Sequence, residues 1–130
     1  MPVKNKFKTF LEGGELLPIN FKDIPFKPKR VFVVSGVPSG TIRGRHAHKK
    51  TKQVIICLSG VLKIKLVKTD GSHSIHFLDK NEYLFHDKME WGVVTFVEED
   101  TIMLSICSTK YDRSDYIEDL ERFLNYHKGP

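Results

Sequence analysis

From Arg30 to Ser108 the chain is a succession of short runs in which apolar residues alternate with polar ones or cluster between turn residues. "VLKIKLVK" is the clearest: Leu62, Ile64 and Leu66 fall on one side and Lys63 and Lys65 on the other, the two-residue period of a half-buried strand. "TDG" at Thr69–Gly71 marks a hairpin, and "SHSIHFL" resumes the pattern with Ile75 and Phe77 on one face. "RVFVVSG" stops at Gly36, "VPSG" at Val37–Gly40 is a turn or loop, and "QVIICL" ends at Ser59-Gly60. "EYLF", "WGVVTFV" and "TIMLSIC" complete the series. Short strands punctuated by turns at roughly ten-residue intervals predict an antiparallel sandwich or barrel.

The two ends differ from this body. Near the N-terminus two further strands are predicted, about Lys6–Leu11 and Glu15–Asn20, separated by Gly13-Gly14. "IPFKPKR" follows, and its prolines prevent regular pairing. In "DYIEDLERFLNYH", Ile117, Leu120 and Leu124 recur at helical spacing beside Tyr116 and Phe123, and Asp115 with Glu118 resembles a capping box. A helix over about 115–127 is expected, its apolar face packed on the barrel. The chain thus reads as one all-β domain spanning 1–130 with a single C-terminal α-helix.

Composition fits that reading: 40% hydrophobic and 28% charged residues in 130, enough for one buried core. No apolar run approaches the ~20 residues of a membrane span. The opening stretch lacks the apolar core of a signal peptide, so a cytoplasmic protein with no membrane partner is expected. Cys57 and Cys107 lie in separate apolar runs without metal-type spacing and read as buried free thiols. Twenty-one Lys and Arg against sixteen Asp and Glu give a net charge of +5, which favours an anionic partner. No nucleic-acid motif accompanies the charge, and the aromatics follow strand patterns rather than exposed stacking platforms, so nucleic acid is set aside.

The candidate chemistry is in "IRGRHAHKKTKQ". His46 and His48, two apart, project from the same face of an extended strand. Their frame is wider: Gly40, five residues, His46, one residue, His48, four residues, Gln53, six residues, Gly60. This resembles the first cupin motif, with Gln53 where that motif has glutamate. An amide is a poor metal ligand beside two histidines. The second half of a metal site also lacks its histidine at the usual place near Trp91 and Gly92, with His86 the one substitute in the vicinity. No metal is therefore expected. Two imidazoles at one cavity, titrating near neutrality, suit proton transfer instead.

"IPFKPKRVF", "RGRHAHKKTKQVIICLSG", the "DG" hairpin, Trp91 and "STKYDRSDYI" together resemble the sugar 3,4-ketoisomerases, over roughly Leu11 to Phe123. The resemblance implies a metal-free cupin, a double-stranded β-helix or jelly-roll barrel, with no cofactor. It implies a homodimer exchanging N-terminal strands, here about 6–20. Its substrate would be dTDP-4-keto-6-deoxyglucose, on a route to 3-amino-3,6-dideoxy sugars. By the same resemblance His46 is the base near C3 and His48 the group serving C4. Arg43 and Arg30 hold the diphosphate, Gln53 contacts the substrate, and Trp91 either walls the sugar cavity or belongs to the core. The chain departs from the family at Gly13, where Arg is common, at Arg45, often apolar, and at Gly92, where His or Arg often follows the Trp. A 3,5-epimerase of the rhamnose-pathway type and a non-catalytic sugar- or nucleotide-binding cupin remain the alternatives.

Overall fold

The computed structural model describes residues 4–126. Its elements are β1 (Lys4–Lys6), β2 (Arg30–Val34), β3 (Thr41–His48), β4 (Gln53–Ser59), β5 (Leu62–Val67), β6 (His73–Leu78), β7 (Glu82–His86), β8 (Trp91–Phe96), β9 (Ile102–Cys107), β10 (Tyr116–Ile117) and α1 (Leu120–Asn125). The strands form two five-stranded sheets, β1-β7-β4-β9-β2 and β10-β3-β8-β5-β6. Every pairing is antiparallel. The inner faces meet around Ile55, Cys57, Leu84 and Met103 from one sheet and Leu62, Ile64, Leu66, Val94 and Phe96 from the other. This is the antiparallel sandwich or barrel the strand pattern predicts, in the jelly-roll form the family resemblance implies. Among the described residues no helix is long and apolar enough to cross a membrane.

Both outer faces are also partly covered, which explains why "QVIIC" shows no polar alternation. Ile55 and Cys57 point between the sheets, whereas Val54 and Ile56 point outward beneath Leu17, Ile19, Ile24 and Phe26 of the N-terminal segment. Each such fully buried aliphatic side chain contributes roughly 1.5–3 kcal/mol. The other sheet is covered by α1, where Phe123 packs with Ala47, Val67, Trp91 and Ile117.

The ends depart from the sequence pattern. Neither N-terminal strand expected, about Lys6–Leu11 and Glu15–Asn20, forms as such: the strand lies earlier, at Lys4–Lys6, paired with Glu82–Leu84 of β7. The remainder reduces to one bridge, Phe10 to Leu16, across a turn at Gly13 and Gly14. Pro18 interrupts the second run, and Leu17 and Ile19 serve as a cover rather than a strand. The helix expected over 115–127 begins only at Leu120, and residue 127 lies outside the described residues. Asp119 caps it, accepting from the backbone N–H groups of Glu121 and Arg122 at 2.9 and 3.3 Å. Asp115 does not cap a helix: it turns inward, Arg113–Asp115 makes a single 3-10 turn, and Tyr116–Ile117 extends as β10 against His48 and Ala47.

Gly60, which closes the first motif, ends β4 with φ +74°. A Cβ there would lie 2.8 Å from the Cα of Thr101, a fully buried residue whose hydroxyl donates to the Glu98 carbonyl. Gly60→Ala is expected to destabilise the fold by about 2 kcal/mol or more, combining left-handed strain with a clash against backbone. Urea unfolding of the variant measures this; a wild-type midpoint would contradict it.

Candidate active site

A cavity of roughly 620 Å³, counting its open mouth, lies between the sheets at one end. Its depth is apolar, from Phe32, Val34, Ile55, Val94, Phe96 and Met103. Its polar wall comprises Arg43, His46, Gln53, His86 and Tyr116. Arg43 and His46 both reach it although three residues apart, a spacing that places side chains on opposite faces of a regular strand. A β-bulge resolves this. Arg43 pairs with Val94, but His46 rather than Arg45 pairs with Gly92. Gly44, at φ +70°, supplies the left-handed residue within the bulge. The extra residue aims His46 inward and leaves Arg45 exposed, away from the cavity lining.

Behind His46 lies a chain of three groups. His46 Nε2 is 3.1 Å from His48 Nε2, and His48 Nδ1 is 3.1 Å from Asp115 Oδ2. Asp115 also accepts from the backbone N–H of Lys50 (2.7 Å), the backbone N–H of Thr51 (3.2 Å) and the Thr51 hydroxyl (2.5 Å). Burial pushes its carboxyl up, but the bonds from Thr51, Lys50 and His48 outweigh burial and hold it below the ordinary aspartate value. It is an anion, able only to accept.

Both histidines are neutral. Burial, then the proximity of His48 and His86, depresses His46 to about 3. Burial and His86 depress His48 to about 4, with Asp115 opposing them and Arg30 adding to them. The tautomers follow. A neutral ring carries one N–H. His48 must spend its own on Asp115, so its Nε2 accepts, and the Nε2–H of His46 donates to it. His46 Nδ1 is left as a lone pair with no protein partner among the described residues, beside Gly44 on the cavity wall. Tyr116 rests on both rings, with centroids 4.8 Å from His46 and 4.4 Å from His48.

Gln53 is buried on the cavity wall, its amide donating to Cys107 Sγ at 3.6 Å. Cys107 and Cys57 are both buried free thiols. Arg43 lines the cavity and is exposed, while Arg30 lies outside the lining, its guanidinium over Phe32 and Tyr111 at 4.8 and 5.0 Å. Trp91 takes the second of its two expected places, packed in an apolar cluster, and does not wall the sugar cavity. Strand alternation points Gly92 inward and Trp91 outward, where it packs near Phe123 with ring centroids 6.1 Å apart. Gly13 sits in the N-terminal turn and is not among the residues lining the cavity.

His48 too is placed differently from the reading of two cavity-facing histidines: it is 2% exposed, behind His46, and not among the lining residues. Asp115 and Tyr116 escaped the sequence reading because "SDYI" adjoins the helical pattern and was absorbed into it. The available signal was a second cap, Asp119, immediately before Leu120. Among the described residues no three His, Cys, Asp or Glu side chains converge as a metal-ligand set.

Comparison with known proteins places this geometry. The FdtA family model, described as WxcM-like, C-terminal, matches residues 7–128. The chain is 31% identical over 122 residues to TDP-4-oxo-6-deoxy-alpha-D-glucose-3,4-oxoisomerase of Aneurinibacillus thermoaerophilus, covering 92% of this chain and 88% of that one. The structure superposes on QdtA, a sugar 3,4-ketoisomerase from Thermoanaerobacterium thermosaccharolyticum solved with TDP. The TM-score is 0.87 at 34% identity, over 96% of this chain and 93% of that chain. A 3,4-ketoisomerase from Helicobacter canadensis gives a TM-score of 0.88 at 28% identity, over 97% and 96% of the two chains. Matched along nearly its whole length in both sequence and fold, the chain belongs to the FdtA (WxcM-like, C-terminal) family.

Proposed function

We propose that the protein is a 3,4-ketoisomerase converting dTDP-4-keto-6-deoxyglucose to its 3-keto isomer. The observation that carries this reading is the Asp115–His48–His46 chain, ending in a free imidazole nitrogen at the cavity wall of a protein from this family. The carbonyl at C4 acidifies the hydrogen on C3. His46 Nδ1 takes that proton and the electron pair moves onto O4 as an enediolate. Reprotonation at C4, with the O3 proton transferred to O4, leaves the ketone at C3 and a hydroxyl at C4. No proton or electron is gained or lost overall.

The chain behind His46 makes a weakly basic ring serviceable. As Nδ1 gains the substrate proton, Nε2 passes its own to His48, and the positive charge settles next to the Asp115 carboxylate. His48 therefore works in series with His46, not beside it, and His46 is the group placed for both carbon-directed transfers. Arg43 at the wall and Arg30, oriented by Phe32 and Tyr111, are the guanidinium groups for the diphosphate, whose charge further favours the transient imidazolium. A homodimer completes the reading, with the N-terminal segment that covers its own barrel in the single chain as the part that subunits would exchange. It is supported by the apolar side chains a single chain leaves exposed, among them Leu11, Leu16, Val31 and Val33.

Incubation with dTDP-4-keto-6-deoxyglucose in deuterium oxide, followed by NMR, is expected to show a 3-keto product carrying solvent deuterium. Exchange at C5 alone, or none, would overturn the assignment. His46→Asn is expected to lower kcat by about 10²- to 10⁴-fold while TDP still binds. Asp115→Asn is expected to fall in the same range. An amide can donate to His48 Nδ1 and reverse both tautomers, leaving a proton on His46 Nδ1; wild-type turnover in this variant would exclude the relay. The pH profile supplies a separate check. Because the neutral pair is the active form and is depressed to about 3 and 4, kcat/KM should stay level from pH 8 to about 5 and fall only below it. A break near the ordinary histidine value of about 6.5 would contradict this.

A further inference from the structure

We propose that His86 contacts the substrate, its Nδ1 accepting a hydrogen bond from a hydroxyl of the sugar ring in the space that a side chain at residue 92 would otherwise fill. The ligand's identity rests on the ketoisomerase reading; the open acceptor does not. Gly92 occupies an inward position of β8, opposite His46. A Cβ there would fall 2.6 Å from His86 Cε1, 3.2 Å from its Nε2 and 3.3 Å from its Nδ1. A side chain at 92 and the His86 ring therefore compete for one volume. In this chain β8 gives way, and the polar group reaches the cavity from β7 in the facing sheet, where His86 pairs with Gln53.

The ring is held for one purpose. His86 is 3% exposed, and burial keeps it neutral. Its Nε2–H donates to the Glu90 carbonyl at 2.7 Å, which fixes both its orientation and its tautomer. Nδ1 is then a lone pair, and among the described residues it has no protein partner. No fully buried side-chain nitrogen or oxygen among the described residues is left unpartnered, so Nδ1 opens onto the cavity that His86 lines. A neutral acceptor fits a donor. It gains nothing from ionised phosphate oxygens, which only accept, and it shares the wall with His46 and Gln53, where the sugar reacts. A ring hydroxyl is the matching group, and an analogue lacking it leaves a buried acceptor unsatisfied, the more discriminating kind of contact.

The test uses full-length protein labelled with ¹⁵N-histidine, the His86 Nδ1 resonance being assigned by its loss in His86→Gln. Saturating TDP should leave that resonance in place, and dTDP-4-keto-6-deoxyglucose should move it upfield, as befits a nitrogen that has accepted a hydrogen bond. An equal shift with TDP alone would assign Nδ1 to the nucleotide and overturn the proposal, as would no shift while the sugar is being turned over. Absence of binding by either compound would remove the ketoisomerase reading and this inference together. In kinetics, His86→Gln can keep a donor at the Nε2 position for the Glu90 carbonyl but places no acceptor at the Nδ1 position, its one amide oxygen being held beside that donor. It should raise KM about 3- to 10-fold with TDP affinity unchanged. Gly92→Ala, which displaces the ring, should raise KM similarly. Wild-type KM in His86→Gln would sink the idea.

Discussion

The working end of the barrel depends on one buried carboxylate. Asp115 accepts from His48, from the Thr51 hydroxyl and from the backbone N–H groups of Lys50 and Thr51. Burying an ion costs several kcal/mol, and each hydrogen bond to a charged group returns roughly 1.5–3. Full satisfaction is what keeps Asp115 ionised at 6% exposure. Its charge state then propagates: an anion can only accept, so His48 must donate from Nδ1, and His46 must donate from Nε2 to His48. The basic nitrogen at the cavity is thereby specified two rings away from the group that specifies it. The same bonds tie β10 and the loop after β3 together, so structure and proton placement share one set of contacts.

The barrel has room for this because its apolar residues are divided among three layers. Val54 and Ile56 are buried outward by the N-terminal segment, and Trp91 and Ala47 by α1. The space between the sheets can therefore be fully packed at one end, by Leu62, Phe96 and Leu78, and open at the other. Two glycines shape the open end. Gly44 permits the bulge that turns His46 inward, and Gly92 leaves the volume that the His86 ring occupies.

Strand-level features were legible because they are local. The alternation of Leu62, Ile64 and Leu66 with Lys63 and Lys65, and the turn at Gly71, φ +88°, appear in the structure where the residues place them. The motif spacing from Gly40 to Gly60 likewise led to the fold and to the family. What escaped was set by tertiary contact. Asp115 sits next to a helical periodicity and looks like a cap; only the burial of His48, 67 positions earlier, draws it inward. The bulge at Gly44 shifts the phase of β3 by one residue, which no two-residue period can anticipate. Trp91 reads equally as cavity wall or core because the motif comparison marks its position, not its direction, and strand phase gave the inward direction to Gly92.

Gln53 bears on the chemistry through the charge it lacks. It stands on the cavity wall, paired with His86 across β4 and β7, at the position where the motif otherwise carries glutamate. The proposed reaction develops negative charge on the enediolate oxygens. A carboxylate about 5 Å away would oppose that charge by about 3 kcal/mol at an effective dielectric of 20, roughly a hundredfold in rate. It would also favour protonation of the imidazoles around it, removing the lone pair the first step requires. An amide imposes neither effect. In the proposed mechanism the negative charge the site uses, Asp115, stands behind His48, where it would stabilise the transient imidazolium and is separated by both rings from the developing anion. On the proposed substrate placement, neutral groups at the reacting carbons, an anion behind the histidines and guanidinium groups toward the phosphates form one consistent electrostatic arrangement, and replacing Gln53 by the motif's glutamate would break it at the point where the anion forms.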